Sequence, residues 1–144
     1  MITPDHTYTH LVFDNSRMNA SCSQTQTTVI APSQLKSVQG KLPVTHEHWI
    51  SPPNALELAW TSNPDGHWTA EIQVEEWRGR RTRLHGDHLC LWVYSATELA
   101  GSSLPLIQIA LHPDDLSPAL PLSQFVEQLP AGAWVYVQIP LVAF

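Results

Sequence analysis

Charge is scarce in this chain. Only 14% of its 144 residues are Asp, Glu, Lys or Arg, against roughly 25% in an average soluble domain. The balance is acidic, at -6, whereas a generic nucleic-acid binder needs a basic field to displace counterions from phosphates. Cysteine is scarcer still. Cys22 and Cys90 are too few for a disulfide scaffold or a four-Cys zinc site. One bridge between them suits an oxidising compartment, but spacing does not decide it. Cys90, inside Leu89-Cys90-Leu91-Trp92-Val93, reads as a small buried apolar residue. No apolar run approaches the ~20 residues that cross a bilayer, so no membrane helix is expected. The start, Met1-Ile2-Thr3-Pro4-Asp5-His6, has neither the charged nor the apolar region of a signal peptide. That leaves a cytosolic chain, or a mature or excised piece of something larger. No stretch carries a strong helical period, and the helical candidates, Ala96–Ala100 and Leu122–Gln128, are short.

What is present is apolar and aromatic: 43% hydrophobic residues and six Trp, enough for a core and too much for disorder. The length suggests one domain, 1–144, with a less regular part (1–45) and a well-patterned part (46–144). The first part is rich in Ser, Thr and Gln, with strands expected near Tyr8–Phe13 and Thr27–Ala31. From Ala55 the pattern sharpens. Leu56, Leu58 and Trp60 alternate with polar or small residues, as do Trp68, Ala70, Ile72 and Val74. Between them, Asn63-Pro64-Asp65-Gly66 is a turn sequence. A hairpin closed by Pro64, Asp65 and a left-handed Gly66 sets Trp60 against Ala70 and Leu58 against Ile72, with every apolar residue on one face. Leu89–Tyr94 is apolar on both faces and is expected at the centre of a sheet. Leu106–Leu111, Ala119–Leu122 (an edge strand, because of Pro121) and Trp134–Ile139 complete the set. Short strands at roughly ten-residue intervals, parted by Pro and Gly, indicate an antiparallel sandwich or barrel.

Several residue groups bear on chemistry. His46 and His48 share a face if they lie on a strand, a spacing that can chelate a metal; solvated loop histidines are the alternative. His85-Gly86-Asp87-His88 is a second cluster, and neither has a third ligand at motif spacing. Glu71, Glu75, Glu76 and the pair Asp114-Asp115 supply carboxylates, but nothing sets two of them across a cleft as a glycosidase requires. Serine-nucleophile motifs, phosphate-binding Gly loops and dinucleotide fingerprints are missing. The expectation is therefore no enzyme and no cofactor. Arg78, Arg80, Arg81 and Arg83 hold four of the seven basic side chains, beside Trp77. They form either a fork for an anionic sugar or a solvated loop paired with the glutamates. Trp60 belongs to the core by its pattern. Trp49, Trp77 and Trp134 lie at strand ends, where an indole face can stack on a pyranose.

Three stretches resemble the non-catalytic β-sandwich modules of bacterial polysaccharide-degrading proteins: Ser51-Pro52-Pro53-Asn54-Ala55-Leu56-Glu57-Leu58-Ala59-Trp60-Thr61-Ser62 with Gly66-His67-Trp68-Thr69-Ala70; Gly86-Asp87-His88-Leu89-Cys90-Leu91-Trp92-Val93-Tyr94-Ser95; and Trp134-Val135-Tyr136-Val137-Gln138-Ile139-Pro140-Leu141-Val142-Ala143-Phe144. The resemblance covers residues 51–144 and implies a galactose-binding-like, antiparallel jelly-roll sandwich. Its implied function is carbohydrate binding as an accessory domain, outside the cell or in the periplasm, with an oligo- or polysaccharide as partner. Trp49, Trp77, Arg78, Arg80, Arg81 and Arg83 are the ligand candidates. Modules of this kind continue past an Ile-Pro-Leu-x-x-Phe segment into closing strands, so the resemblance also implies a sandwich lacking its last strands. An unpaired edge would then meet a neighbouring domain or a second copy. Phe13-Asp14-Asn15 resembles the start of a structural calcium site, so Asp14 and Asn15 would serve as ligands once a C-terminal partner is supplied. The alternative function is a structural or interaction module with no sugar site.

Overall fold

The computed structural model describes residues 10–74, 86–112 and 114–144. The chain divides into two compact units, Met1–Leu84 and His85–Phe144. Every strand pair among the described residues is antiparallel, and the helical turns among them are three-residue 3-10 turns. The fold is all-β and antiparallel, as the spacing of strands and turns predicts, and consistent with a β-sandwich. Of the strand expected at Tyr8–Phe13, residues 8 and 9 lie outside the described residues and 10–13 are irregular.

The first unit contains β1 (Thr25–Ile30), β2 (Gln34–Leu35), β3 (Val44–Thr45), β4 (Ala55–Leu56), β5 (Trp60–Thr61) and β6 (His67–Ile72). The turn before β6 forms as expected, with the Gly66 N–H donating to the Asn63 carbonyl at 3.0 Å. The hairpin does not form. β6 pairs with β1, setting Trp68 opposite Val29 and Ala70 opposite Thr27. β5 pairs with β2, setting Trp60 opposite Leu35. The segments 25–35 and 60–72 run past each other as one long ladder, interrupted where a turn at 31–33 seats into the turn at 63–66.

Side-chain chemistry explains this choice of partner. The Asn63 N–H donates to Ser33 Oγ at 3.0 Å and the Asn63 amide donates to the Pro32 carbonyl at 3.0 Å. Gly66 is not left-handed; its role is close approach. A Cβ there would collide with the Ser33 backbone nitrogen and lie 2.7 Å from the Ile30 carbonyl. The expected face does survive. Alternation puts Trp60, Trp68, Ala70 and Ile72 on one side whichever strand pairs with them, and the Trp60 and Trp68 rings meet at 5.5 Å.

Polar groups fill much of this unit's interior. Thr25, fully buried, donates from Oγ1 to the Cys22 carbonyl (2.7 Å) and accepts the Leu42 N–H (2.9 Å). Asn54, 1% exposed, acts on Ser16 as a strand partner would. Its Oδ1 accepts the Ser16 N–H at 2.8 Å and its Nδ2 donates to the Ser16 carbonyl at 3.0 Å. Cys22, Leu42 and Val44 supply the apolar part. Cys22 and Cys90 are both free thiols.

The second unit contains β7 (His88–Ser95), β8 (Leu99–Ala100), β9 (Leu106–Ile107), β10 (Ala110–His112), β11 (Asp115–Leu116), β12 (Leu120–Pro121), β13 (Gln128–Leu129) and β14 (Ala133–Pro140). β7 and β14 pair over eight residues, from Ala133–Ser95 to Pro140–His88. One face, with Val137 and Ile139 across from Leu91 and Leu89, packs with Leu122, Ile107 and Phe125 as the core. The other stacks aromatic rings across the strands, Trp92 on Tyr136 at 4.9 Å and Tyr94 on Trp134 at 5.5 Å. Both faces of β7 are thus apolar, but the expected central position is not met: among the described residues β7 pairs only with β14. Pro121 sits where its missing N–H is tolerated, in a two-residue pairing with β9.

Two substitutions test the first unit. Thr25→Val keeps the shape but strips the Leu42 N–H of its acceptor. It should cost about 1–3 kcal/mol in denaturant unfolding, the penalty of an unsatisfied buried donor. Gly66→Ala should cost about 1–3 kcal/mol through backbone displacement, and circular dichroism should show a lower melting temperature with native strand content.

Candidate functional site

An open depression of about 490 Å3 lies where β2 meets β5, lined by Gln34, Leu35, Lys36, Ala59, Trp60 and Thr61. That size falls within the range of small-ligand sites, about 300–1,000 Å3. Strand geometry sorts its residues. Leu35 and Trp60 are cross-strand partners on the more buried side. Gln34 opposes Thr61 on the exposed side, and the Lys36 N–H extends the ladder by donating to the Ala59 carbonyl at 2.9 Å. Two residues beyond Ala59, Glu57 accepts a 2.8 Å hydrogen bond from Lys36 Nζ. An amide, a hydroxyl and a neutralised ammonium–carboxylate pair are thereby gathered at one place. An exposed ion pair adds little stability. Its chemical effect is to set a donor beside an acceptor with no net charge. Behind it, Trp60 leans on Trp68, whose Nε1–H donates to Ser62 Oγ at 2.9 Å.

The residues expected from sequence are distributed otherwise. Trp49 follows β3 in an irregular segment and is 42% exposed, but does not line the depression. Trp77, Arg78, Arg80, Arg81 and Arg83 lie outside the described residues, with Glu75, Glu76 and His85. Asp14 is exposed, and its Oδ2 accepts from the Asn15 amide nitrogen at 3.3 Å. A hard cation takes six to eight oxygens, and this pair alone does not compose such a shell. Glu71 is on the exposed face of β6, as expected. Trp134 is half-buried on Tyr94.

The histidines separate. His46 and His48 lie past the end of β3, not on a strand. His46 Nε2 is 2.8 Å from the Asn19 carbonyl oxygen and Nδ1 is 3.2 Å from that of Pro53. Both ring nitrogens thus face carbonyl oxygens rather than an open metal position, and which of them donates depends on the tautomer. Among the described residues no three His, Cys, Asp or Glu come together as a metal site. Further along, His88 Nδ1 donates to Asp87 Oδ1 at 2.9 Å. That hydrogen bond, and then the ring's charge, hold the Asp87 carboxyl below its usual 3.8.

The depression was not evident in the sequence. Gln34-Leu35-Lys36 does alternate polar, apolar, polar, which is the mark of a half-buried strand. Its partner was hidden because the turn at 63–66 suggested a local hairpin.

No protein-family model matches the chain. Over 137 residues, 95% of its length, the chain is 30% identical to an exo-β-1,2-glucooligosaccharide sophorohydrolase (non-reducing end) of Parabacteroides distasonis. The crystal structure of a β-1,2-glucanase from Parabacteroides distasonis superposes with a TM-score of 0.83 and 30% identity over 92% of the chain. In each case the chain spans 19% of the relative's length. It is thus homologous to one segment of a much longer glucan-degrading enzyme.

The Asp87–His88 contact offers a direct test. A carboxyl depressed in the folded state contributes stability above its unfolded value and loses it as pH falls through the folded one. In a carbon-detected NMR titration, Asp87 should titrate below 3.8, and His88→Ala should move its midpoint upward. Because the group is exposed, any stability difference between the two proteins should be small, present above about pH 4 and lost as the pH falls below it.

Proposed function

We propose that this chain is a non-catalytic, carbohydrate-binding accessory module of a glucan-degrading protein. One observation carries the reading. Nearly the whole chain corresponds to 19% of an enzyme named for β-1,2-glucooligosaccharide hydrolysis, so most of the relative's length is left for the chemistry. The partner is then an oligo- or polysaccharide of glucose, with the β-1,2 linkage as first candidate. The fold kinship is galactose-binding-like, and the setting is extracellular or periplasmic, where glucans are met. Trp49 offers an exposed indole to a sugar face. Trp77 and the arginines from Arg78 to Arg83 are further contacts in this reading. No cofactor is required, and nucleic acid does not suit a net charge of -6.

A second reading, an interaction module that packs on a neighbouring domain or on its own copy, is favoured by one feature. Val29 and Ile72 share the more buried face of the β1–β6 ladder, and both remain exposed. Leu58 and Val74 continue the same alternation, also exposed. An apolar stripe of this kind marks an interface.

Affinity electrophoresis in gels containing β-1,2-glucan separates these readings. Retarded migration with no reducing sugar released supports the accessory module. Release of reducing ends by the purified chain contradicts the non-catalytic assignment. Unretarded migration in every glucan, from a folded protein, favours the interaction module.

A further inference from the structure

We infer that the β2–β5 depression is a sugar subsite that takes a neutral glucosyl unit through its hydroxyl groups. This rests on the module reading above and assigns a site that the sequence candidates do not include.

The argument starts from what a neutral sugar offers. A pyranose edge carries adjacent hydroxyls, each able to donate and to accept. Selective binding needs donors and acceptors side by side, with no excess charge that would favour an acid instead. The depression has that composition. Lys36 spends one of its three N–H donors on Glu57 and keeps the others for a ligand. Glu57, outside the lining itself, holds a carboxylate oxygen 2.8 Å from that ammonium. Gln34 and Thr61, directly opposed across the ladder, add an amide and a hydroxyl. The floor is strand backbone held in register by Trp60 and Leu35 beneath, and groups on strands are held more accurately than groups on loops. The 2.8 Å contact matters most. Alone, Lys36 would attract uronic acids. Paired, it presents a donor beside an acceptor at no net charge, as two neighbouring hydroxyls require.

These side chains lie at the surface, so variants should fold. Isothermal titration with a β-1,2-glucooligosaccharide and with an oligogalacturonide tests the site. The wild type should prefer the neutral ligand. Lys36→Met should weaken neutral binding at least about fivefold, and Gln34→Ala about threefold. Glu57→Gln frees the lysine charge, so it should weaken neutral binding while raising affinity for the acid, an inversion that a purely structural ion pair would not produce. Glucan binding by the wild type that persists unchanged in Lys36→Met and Glu57→Gln overturns the subsite and leaves the module reading intact. A folded wild type silent toward both ligands overturns the two together.

Discussion

The first unit depends on two turns being able to touch. Gly66 has no side chain, so the backbone of Ile30 and Ser33 can lie where a Cβ would be. Ser33, itself buried, then reaches the Asn63 N–H. With that contact made, the chain leaving β1 enters β2 alongside β5, and the chain leaving β5 enters β6 alongside β1. The register that follows sets Gln34 against Thr61 and brings Lys36 within 2.8 Å of Glu57, 21 residues away in sequence. Without the nested turns, β5 and β6 would be free to close on each other as a hairpin, and these side chains would have no reason to meet.

The two units solve the problem of a core differently. The second does so with branched aliphatics on the inner face of β7 and β14 and aromatic pairs on the outer. The first buries hydroxyls and an amide. Thr25, Ser16, Ser21, Ser33 and Asn54 are all inside, and among the described residues no buried side-chain polar atom lacks a partner. Such a core depends on complete hydrogen bonding, because each buried polar group costs energy unless satisfied. It also fixes geometry: Asn54 can meet both backbone groups of Ser16 in one placement only.

This difference decides how much could be seen in the sequence. β7 and β14 were legible because apolar alternation is the direct trace of burial, and their expected bounds fall within the observed strands. In the Ser/Thr/Gln stretch the sequence indicates a strand only near Thr27–Ala31, whereas the strand observed begins two residues earlier, Thr25–Ile30. Buried hydroxyls follow the geometry of backbone donors and acceptors, which leaves no hydrophobic period to detect. The turn at 63–66 shows a further limit. Alternation fixes the face of each residue but not the partner strand, and Trp60 satisfies it equally against Ala70 or Leu35. The candidate site follows that ambiguity. Trp49 could be picked out as a surface aromatic, whereas Lys36 and Glu57 acquire meaning only once the ladder is known.

The proposed glucan contact rests on homology to 19% of a β-1,2-glucan-degrading enzyme and on the hydrogen-bonding groups of the β2–β5 depression. Amide chemical-shift mapping during titration with a β-1,2-glucooligosaccharide tests this most directly. The account predicts saturable shifts at residues 34–36 and 57–61. Saturable shifts that leave residues 34–36 and 57–61 silent would contradict the subsite, and the absence of any shift would contradict glucan contact itself.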